Sequence, residues 1–236
     1  DWLYGYEAPA GTSNNTDGGD TIYGGSGSRH IYGQNSNDVI VGGYGDDTLS
    51  GAAGADHFVY RSNLDTGDTI GDFSQAQGDK ILFQGNKSFS GSIYLPSKEA
   101  GSSSKPITFS SYGSGRASIR SGSKPGIDIA QGAGVDISNL NFFGGGLKSN
   151  KTPGIYLHLD FSNKRLSRLN VKNVKVTQYG KEGIFIKTDG NGSSLANVHI
   201  DTAYLHDNLL GGMRVSSDRP NSNKNWLIQN VWAYDN

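Results

Sequence analysis

The chain has 236 residues, 35 of them glycine and none cysteine, and a formal net charge of −1. That balance supplies no bulk field toward nucleic acid or an anionic membrane, and no disulfide can staple the fold. No run approaches the roughly 18 apolar residues of a membrane span. Capped runs with a 3.6-residue apolar period are nearly absent, so the chain reads as all-β with little or no helix.

Asp1-Trp2-Leu3-Tyr4-Gly5 has the form of the last part of a nine-residue unit. Asp20, Asp38, Asp47 and Asp56 then stand on one nine-residue grid, whose remaining position, 29, is Arg29. Ile22, Ile31, Ile40, Leu49 and Phe58 keep the same spacing two residues later. A Gly/Asp-rich linker has no reason to keep aliphatic residues in phase. The pattern is G-G-x-G-x-D-x-U-x, with U a large apolar residue. Glycines allow left-handed turns, each aspartate offers a hard oxygen ligand beside turn carbonyls, and calcium is the cation such ligands suit.

This block, roughly residues 1–81, resembles the RTX (hemolysin-type) calcium-binding repeats of proteins exported by Gram-negative bacteria. The resemblance implies a parallel β-roll in which two repeats make one coil and aspartates 18 apart share an ion. One side of the roll would carry Asp20, Asp38 and Asp56 (38−20 and 56−38 are both 18). The other side would pair Arg29 with Asp47, so that side has either lost a calcium or holds a direct Arg29–Asp47 pair. Residues 68–81 resemble the tail that closes such rolls in secreted metalloproteases, with Asp72 and Asp79 as further ligand candidates. The resemblance also implies an extracellular or cell-surface location, reached by type I export from a Gram-negative-type bacterium.

From about residue 79 the period lengthens. Gly126-Ile127-Asp128-Ile129, Gly154-Ile155-Tyr156-Leu157, Gly183-Ile184-Phe185-Ile186 and Gly212-Met213-Arg214-Val215 follow one another at 28, 29 and 29 residues. Between them recur Ile137-Ser138-Asn139, Val171-Lys172-Asn173, Ile200-Asp201-Thr202 and Ile228-Gln229-Asn230, at spacings of 34, 29 and 28. About 29 residues carrying three short alternating strands is the size of one coil of a right-handed parallel β-helix. The asparagines at the bends, and Lys105-Pro106-Ile107-Thr108-Phe109-Ser110-Ser111-Tyr112-Gly113, resemble the pectate-lyase-like β-helices. The expected division is residues 1–81 for the roll with its tail and 82–236 for the helix, incomplete at its C-terminus. Gly78-Asp79-Lys80-Ile81 serves both readings, so the roll should dock on the helix without a flexible linker. His206-Asp207-Asn208 aligns with Tyr234-Asp235-Asn236, where no cap follows. The chain therefore reads as part of a longer protein, with an uncapped edge available for end-to-end self-association.

Aligning the glycine strands gives outward columns: Asp128, Tyr156, Phe185, Arg214; then Ala130, His158, Lys187, Ser216; then Gly132, Asp160, Asp189, Asp218. Strands about 4.8 Å apart would stack the three carboxylates, raising some pKa values unless a cation or base relieves them. Resemblance to pectate-lyase-like enzymes implies a calcium held by Asp160, Asp189 and Asp218, with Lys187 or Arg214 as the base of an elimination on an acidic polysaccharide. Two other readings stand beside it: the aspartates cap turns, or the face binds sugar without turnover. Alginate epimerases also combine β-helices with these repeats, but their Asp-Pro-His-Glu motif is absent here. Trp226, Trp232 and Tyr234 are either a sugar-stacking platform or ordinary outward strand residues. Two functions therefore remain open: a carbohydrate-active secreted protein, or a calcium-stiffened structural or adhesive rod.

Overall fold

The computed structural model describes residues 2–4, 18–65, 67–74, 77–96, 104–160, 165–189, 192–217 and 223–236. Every element among them is a β-strand, and every strand pairing is parallel. The short coils contribute β1 (Trp2–Tyr4), β2 (Thr21–Ser26), β3 (His30–Tyr32), β4 (Val39–Tyr44), β5 (Thr48–Ser50), β6 (His57–Tyr60) and β7 (Thr69–Ile70). The longer coils begin with β8 (Lys80–Gln84), β9 (Ser88–Ser90), β10 (Ile93–Leu95), β11 (Ile107–Tyr112), β12 (Ala117–Gly122) and β13 (Ile127–Ala130). They continue with β14 (Val135–Ser138), β15 (Leu140–Gly144), β16 (Ile155–His158), β17 (Arg165–Thr177), β18 (Glu182–Thr188), β19 (Ser194–His206), β20 (Gly211–Ser217) and β21 (Lys224–Tyr234).

In the short coils the two registers of the nonapeptide become two facing sheets. One stacks β2, β4 and β6, pairing Ile22 with Ile40 and Ile40 with Phe58. The other stacks β1, β3, β5 and β7, with Ile31 opposite Leu49 and Leu49 opposite Ile70. Ile22, Ile31, Ile40, Leu49 and Phe58 form one buried cluster between the sheets. Where β4 pairs with β2, the backbones of neighbouring coils approach closely at paired glycines. Gly43 sits at φ +97°, and a Cβ there would strike the Gly25 backbone of the preceding coil, which restricts the position to glycine.

The longer coils have three faces. One sheet runs β8, β11, β14, β17, β19, β21; a second runs β10, β13, β16, β18, β20. The third runs β9, β12, β15 and then the C-terminal halves of β17, β19 and β21. Ile127, Ile155 and Ile184, and Ile129, Leu157 and Ile186, form buried ladders at strand spacing. The alternation predicted from sequence places these side chains inside. Bends between the first and third faces fall on Asn139, Asn173, Thr202 and Asn230, at φ 55°, 53°, 57° and 51°. Asn173 donates through Nδ2 to Asn139 Oδ1 at 2.8 Å. The amide ladder stops at Thr202, and Asn230 donates instead to Asp201 Oδ1 at 2.9 Å. A second amide pair lies inside: Asn208 is buried and donates to Asn236 Oδ1 at 3.1 Å.

Short and long coils share a sheet without a break. Phe58 pairs with Ile81 and Ile81 with Phe109; Tyr60 pairs with Phe83 and Phe83 with Ser111. Aromatic rings fill the seam, with Tyr60 stacked on Phe83 at 5.5 Å and Phe83 meeting Phe89 edge-on at 5.1 Å. Two sheets abut three, and the corner between β7 and β10 is left as a cavity of about 410 Å³ lined by Ile70, Phe83, Phe89 and Ile93.

Candidate functional site

The aspartates of the short coils form two ladders in which each carboxylate clamps the amide of the ladder residue one coil earlier. On one side Asp38 Oδ1 accepts from the Asp20 amide at 2.7 Å, Asp56 Oδ1 from Asp38 at 2.8 Å, and Asp79 Oδ1 from Asp56 at 3.0 Å. On the other side Asp47 Oδ1 accepts from the Arg29 amide at 2.8 Å, and Asp68 Oδ1 from Asp47 at 3.1 Å. Arg29 thus meets Asp47 through its main chain, and a terminal guanidinium nitrogen donates to Ser26 O at 2.8 Å.

The second oxygen of each clamp is what a cation would use. Among the described residues, Oδ2 of Asp47, Asp56 and Asp68 is buried without a hydrogen-bond partner. Each such orphan costs about 1–3 kcal/mol if nothing satisfies it. Glycine keeps open the space these oxygens face: a Cβ on Gly42 would lie 2.8 Å from Asp47 Oδ2 and 3.0 Å from Asp68 Oδ2, and one on Gly51 would run into the Asp56 carboxylate. Calcium takes 6–8 oxygens at about 2.3–2.6 Å, many of them backbone carbonyls, so paired aspartates in a glycine cradle fit it. Among the described residues no group of three or more Asp, Glu or His converges to hold a metal by side chains alone. Turn carbonyls would therefore have to complete the shell.

Burial pushes the Asp68 and Asp79 carboxyls up to about 6, with neighbouring carboxylates adding to the rise. Burial also raises Asp47 and Asp56, against the lowering effect of the amides they clamp. Ionising stacked, largely buried carboxylates is costly, and a divalent cation among them would relieve that cost.

Asp20, Asp38, Asp47, Asp56 and Asp79 all lie on the ladders. Asp72 does not: its oxygens accept from the Gly51 and Ala52 amides, at 3.0 and 2.8 Å, and from Ser50 Oγ, closing a turn. Asp68 is the ladder residue that spacing misses. It follows Asp47 by 21 residues rather than 18 (68−47). The three extra residues sit in a loop where Asp65 accepts from the Arg61 and Ser62 amides. The signal was the string Asp68-Thr69-Ile70, which repeats Asp20-Thr21-Ile22.

On the β10–β20 face the first two sequence-derived columns hold residue for residue. Asp128, Tyr156, Phe185 and Arg214 are in register, as are Ala130, His158, Lys187 and Ser216. Tyr156 stacks on Phe185 at 5.4 Å and on His158 at 4.6 Å. Of the third column, Asp218 lies outside the described residues. Asp160 takes Lys187 Nζ on Oδ1 at 2.7 Å, and on Oδ2 it meets His158 Nδ1 at 2.5 Å and Gln131 Nε2 at 3.1 Å. Asp189 accepts from Ser216 Oγ on both oxygens, at 2.8 and 3.0 Å. Asp160 and Asp189 thus have separate partners. Arg214 pairs with Glu182 at 3.4 Å and lies over the Phe185 ring at 5.1 Å.

These pairings fix protonation. The hydrogen bond to Asp160 raises the Lys187 pKa, keeping it an ammonium. His158, bridging Asp128 at 3.2 Å and Asp160, is raised chiefly by Asp128. Burial acts upward on Asp160, but the hydrogen bonds from Lys187 and His158 outweigh it and hold the carboxyl below its usual range. A proton-abstracting base must be neutral when it acts, and Lys187 is held in the opposite state.

A parallel, all-β solenoid with aspartate ladders and glycine turns defines a class of calcium-binding repeat protein. Residues 15–43 and 32–66 match the family model of the RTX calcium-binding nonapeptide repeat, in four copies. The repeats are calcium-binding and of a type typical of proteins secreted by type I export. No curated protein and no solved structure matches the chain. Among the described residues no helix is long and apolar enough to cross a membrane.

Proposed function

We propose that the chain is a secreted calcium-binding protein whose later coils form a pectate-lyase-like, right-handed β-helix that binds an acidic polysaccharide without cleaving it. The roll spans residues 1–81 and the helix 82–236. Calcium is held by Asp20, Asp38, Asp56 and Asp79 on one side of the roll and by Asp47 and Asp68 on the other. The observation that carries the glycan reading is the Tyr156–Phe185 stack at 5.4 Å with Lys187 and Arg214 alongside. A row of stacked rings that presents its edges beside hydrogen-bonding groups suits the mixed C–H and hydroxyl surface of a sugar chain. The Lys187–Asp160 pair supports binding without elimination, because it holds Lys187 as an ammonium and occupies a proposed metal ligand.

A structural or adhesive rod is the second reading, favoured by the single sheet that runs from β2 through β8 to β21. The experiment is titration calorimetry of the calcium-loaded chain with pectate and alginate, alongside ultraviolet absorbance of unsaturated sugar ends. Heat of binding with a flat absorbance trace is expected. A calcium-dependent rise in absorbance would establish a lyase, and no binding to any polyuronate would leave the rod.

A further inference from the structure

We infer that a second face of the long coils, built by β12, β15 and the C-terminal halves of β17, β19 and β21, is an anion-reading track for the acidic polymer. The inference rests on the polysaccharide reading above and assigns the surface that senses the polymer's charge.

Register places two outward columns side by side. Asn141, Lys175, Tyr204 and Trp232 share one, and Arg120 and Phe143 lead the next. The Arg120 guanidinium lies 4.7 Å from the Phe143 ring centre, and Lys175 Nζ lies 5.7 Å from the same ring. Arg116 lies 5.7 Å over the Tyr204 ring, steadied by a 3.3 Å hydrogen bond to Asn173 Oδ1. Tyr204 in turn stacks on Trp232 at 4.7 Å and 9°.

Charge complementarity distinguishes this face from the β10–β20 face. There, Lys187 is paired with Asp160, Arg214 with Glu182, and His158 lies between Asp128 and Asp160. Here, among the described residues, none of Arg116, Arg120 and Lys175 ion-pairs with a carboxylate. The nearby Asp207 is engaged with His206 at 2.7 Å. Aromatic rings hold the three cations without neutralising them, because a ring face attracts a cation through its quadrupole and carries no net charge. Arg120 and Lys175 lie two coils apart, about 10 Å along the solenoid at the usual strand spacing. A polymer with a carboxylate on successive sugars, laid along the axis, can meet them in turn.

A single-stranded nucleic acid is the other polyanion that aromatic and basic residues take. It needs open ring faces for its bases, and Tyr204 and Trp232 spend their facing surfaces on each other. Stacked rings present their edges, which carry partial positive charge and add to the attraction for an anion.

The test is calorimetric binding of polygalacturonate, neutral dextran and single-stranded poly-uridine to the calcium-loaded chain at two salt concentrations. The variants are R116Q/R120Q/K175Q and, as a lighter substitution that removes one surface cation, Arg120→Gln. Thermal melting in calcium checks that each folds. The triple variant is expected to bind polygalacturonate about tenfold or more weakly and to lose most of the salt dependence seen in the wild type. Arg120→Gln is expected to move the same way by a smaller factor. Unchanged affinity in both folded variants would overturn the inference and leave the polysaccharide reading standing. Wild type that binds no polyuronate would remove both, and poly-uridine binding tighter than polygalacturonate would replace the glycan with nucleic acid.

Discussion

Asp68 occupies the ladder place above Asp47: its Oδ1 accepts the Asp47 amide at 3.1 Å, and both second oxygens face the open space at Gly42. Asp72, four residues on, spends both oxygens on the Gly51–Ala52 turn. The two aspartates should therefore behave differently. Asp68→Asn is expected to weaken calcium at this step of the ladder by at least about tenfold, about 1.4 kcal/mol. Asp72→Asn should lower thermal stability in chelator and in calcium alike, with calcium affinity nearly unchanged. Calcium titration of both variants checks this; equal losses of affinity would show that Asp72 is also a ligand.

Burial raises the carboxyls of Asp68 and Asp79 to about 6 in the calcium-free fold, against 3.8 for an ordinary aspartate. A raised acid favours the fold in its protonated form. Its contribution is complete below about 3.8 and is lost as pH rises through about 6. In chelator, the chain should melt at a higher temperature at pH 4.5 than at pH 7.5. With calcium the order should reverse, because the ion needs the ionised carboxylates. Thermal melts at the two pH values, with and without calcium, decide it; a chelated melt that rises steadily toward pH 7.5 would contradict the ladder's electrostatics.

Much of this architecture was legible because solenoids write their contacts as spacings. Ile22, Ile40 and Phe58 pair because they stand 18 apart, and Tyr156, Phe185 and Arg214 align because their strands repeat at 29. What spacing alone did not reveal falls where insertions break phase or where side chains choose among neighbours. The loop at 61–65 displaced Asp68 from the grid. By column alone Asp160 is a candidate metal ligand, but Lys187 and His158 lie close enough to claim both its oxygens. A further column is not announced by spacing: Arg168, Asn197 and Asn225 bend the chain at φ 81°, 53° and 56° in β17, β19 and β21 without changing register, with Asn225 donating to Asn197 Oδ1 at 3.1 Å. Irregular spacing of polar residues inside a long strand carries no apolar period to announce such a bend.

Thr202 interrupts the bend ladder at φ 57°, a left-handed conformation that a β-branched residue adopts at a cost. Asparagine tolerates that region and would restore the amide seen at Asn139 and Asn173. Thr202→Asn is expected to stabilise the chain by about 1 kcal/mol. Thermal or denaturant unfolding in calcium measures it. A loss instead would mean that the Thr202 hydroxyl, 3.3 Å from Asp201 Oδ1, matters more than the backbone strain.

The shared sheet makes the aspartate ladder and the long coils one mechanical unit. Asp56 and Asp79 end at the seam, and Lys80 N donates to Asp56 O at 2.8 Å, so the strand that opens the long coils begins on a residue of the aspartate ladder. Phe83, between Tyr60 and Phe89, packs that joint. Calcium that binds the folded roll and not the unfolded chain raises stability in proportion to the logarithm of its concentration, and through the seam that gain should reach the helix. In the wild type, calorimetry in calcium is expected to show one transition that moves up with calcium. Phe83→Ala removes a buried aromatic side chain, a loss of about 3–5 kcal/mol, and should split the melt into a calcium-sensitive step and a calcium-insensitive one. A single transition that still follows calcium in the variant would place the coupling in the β6–β8–β11 backbone ladder rather than in the aromatic seam.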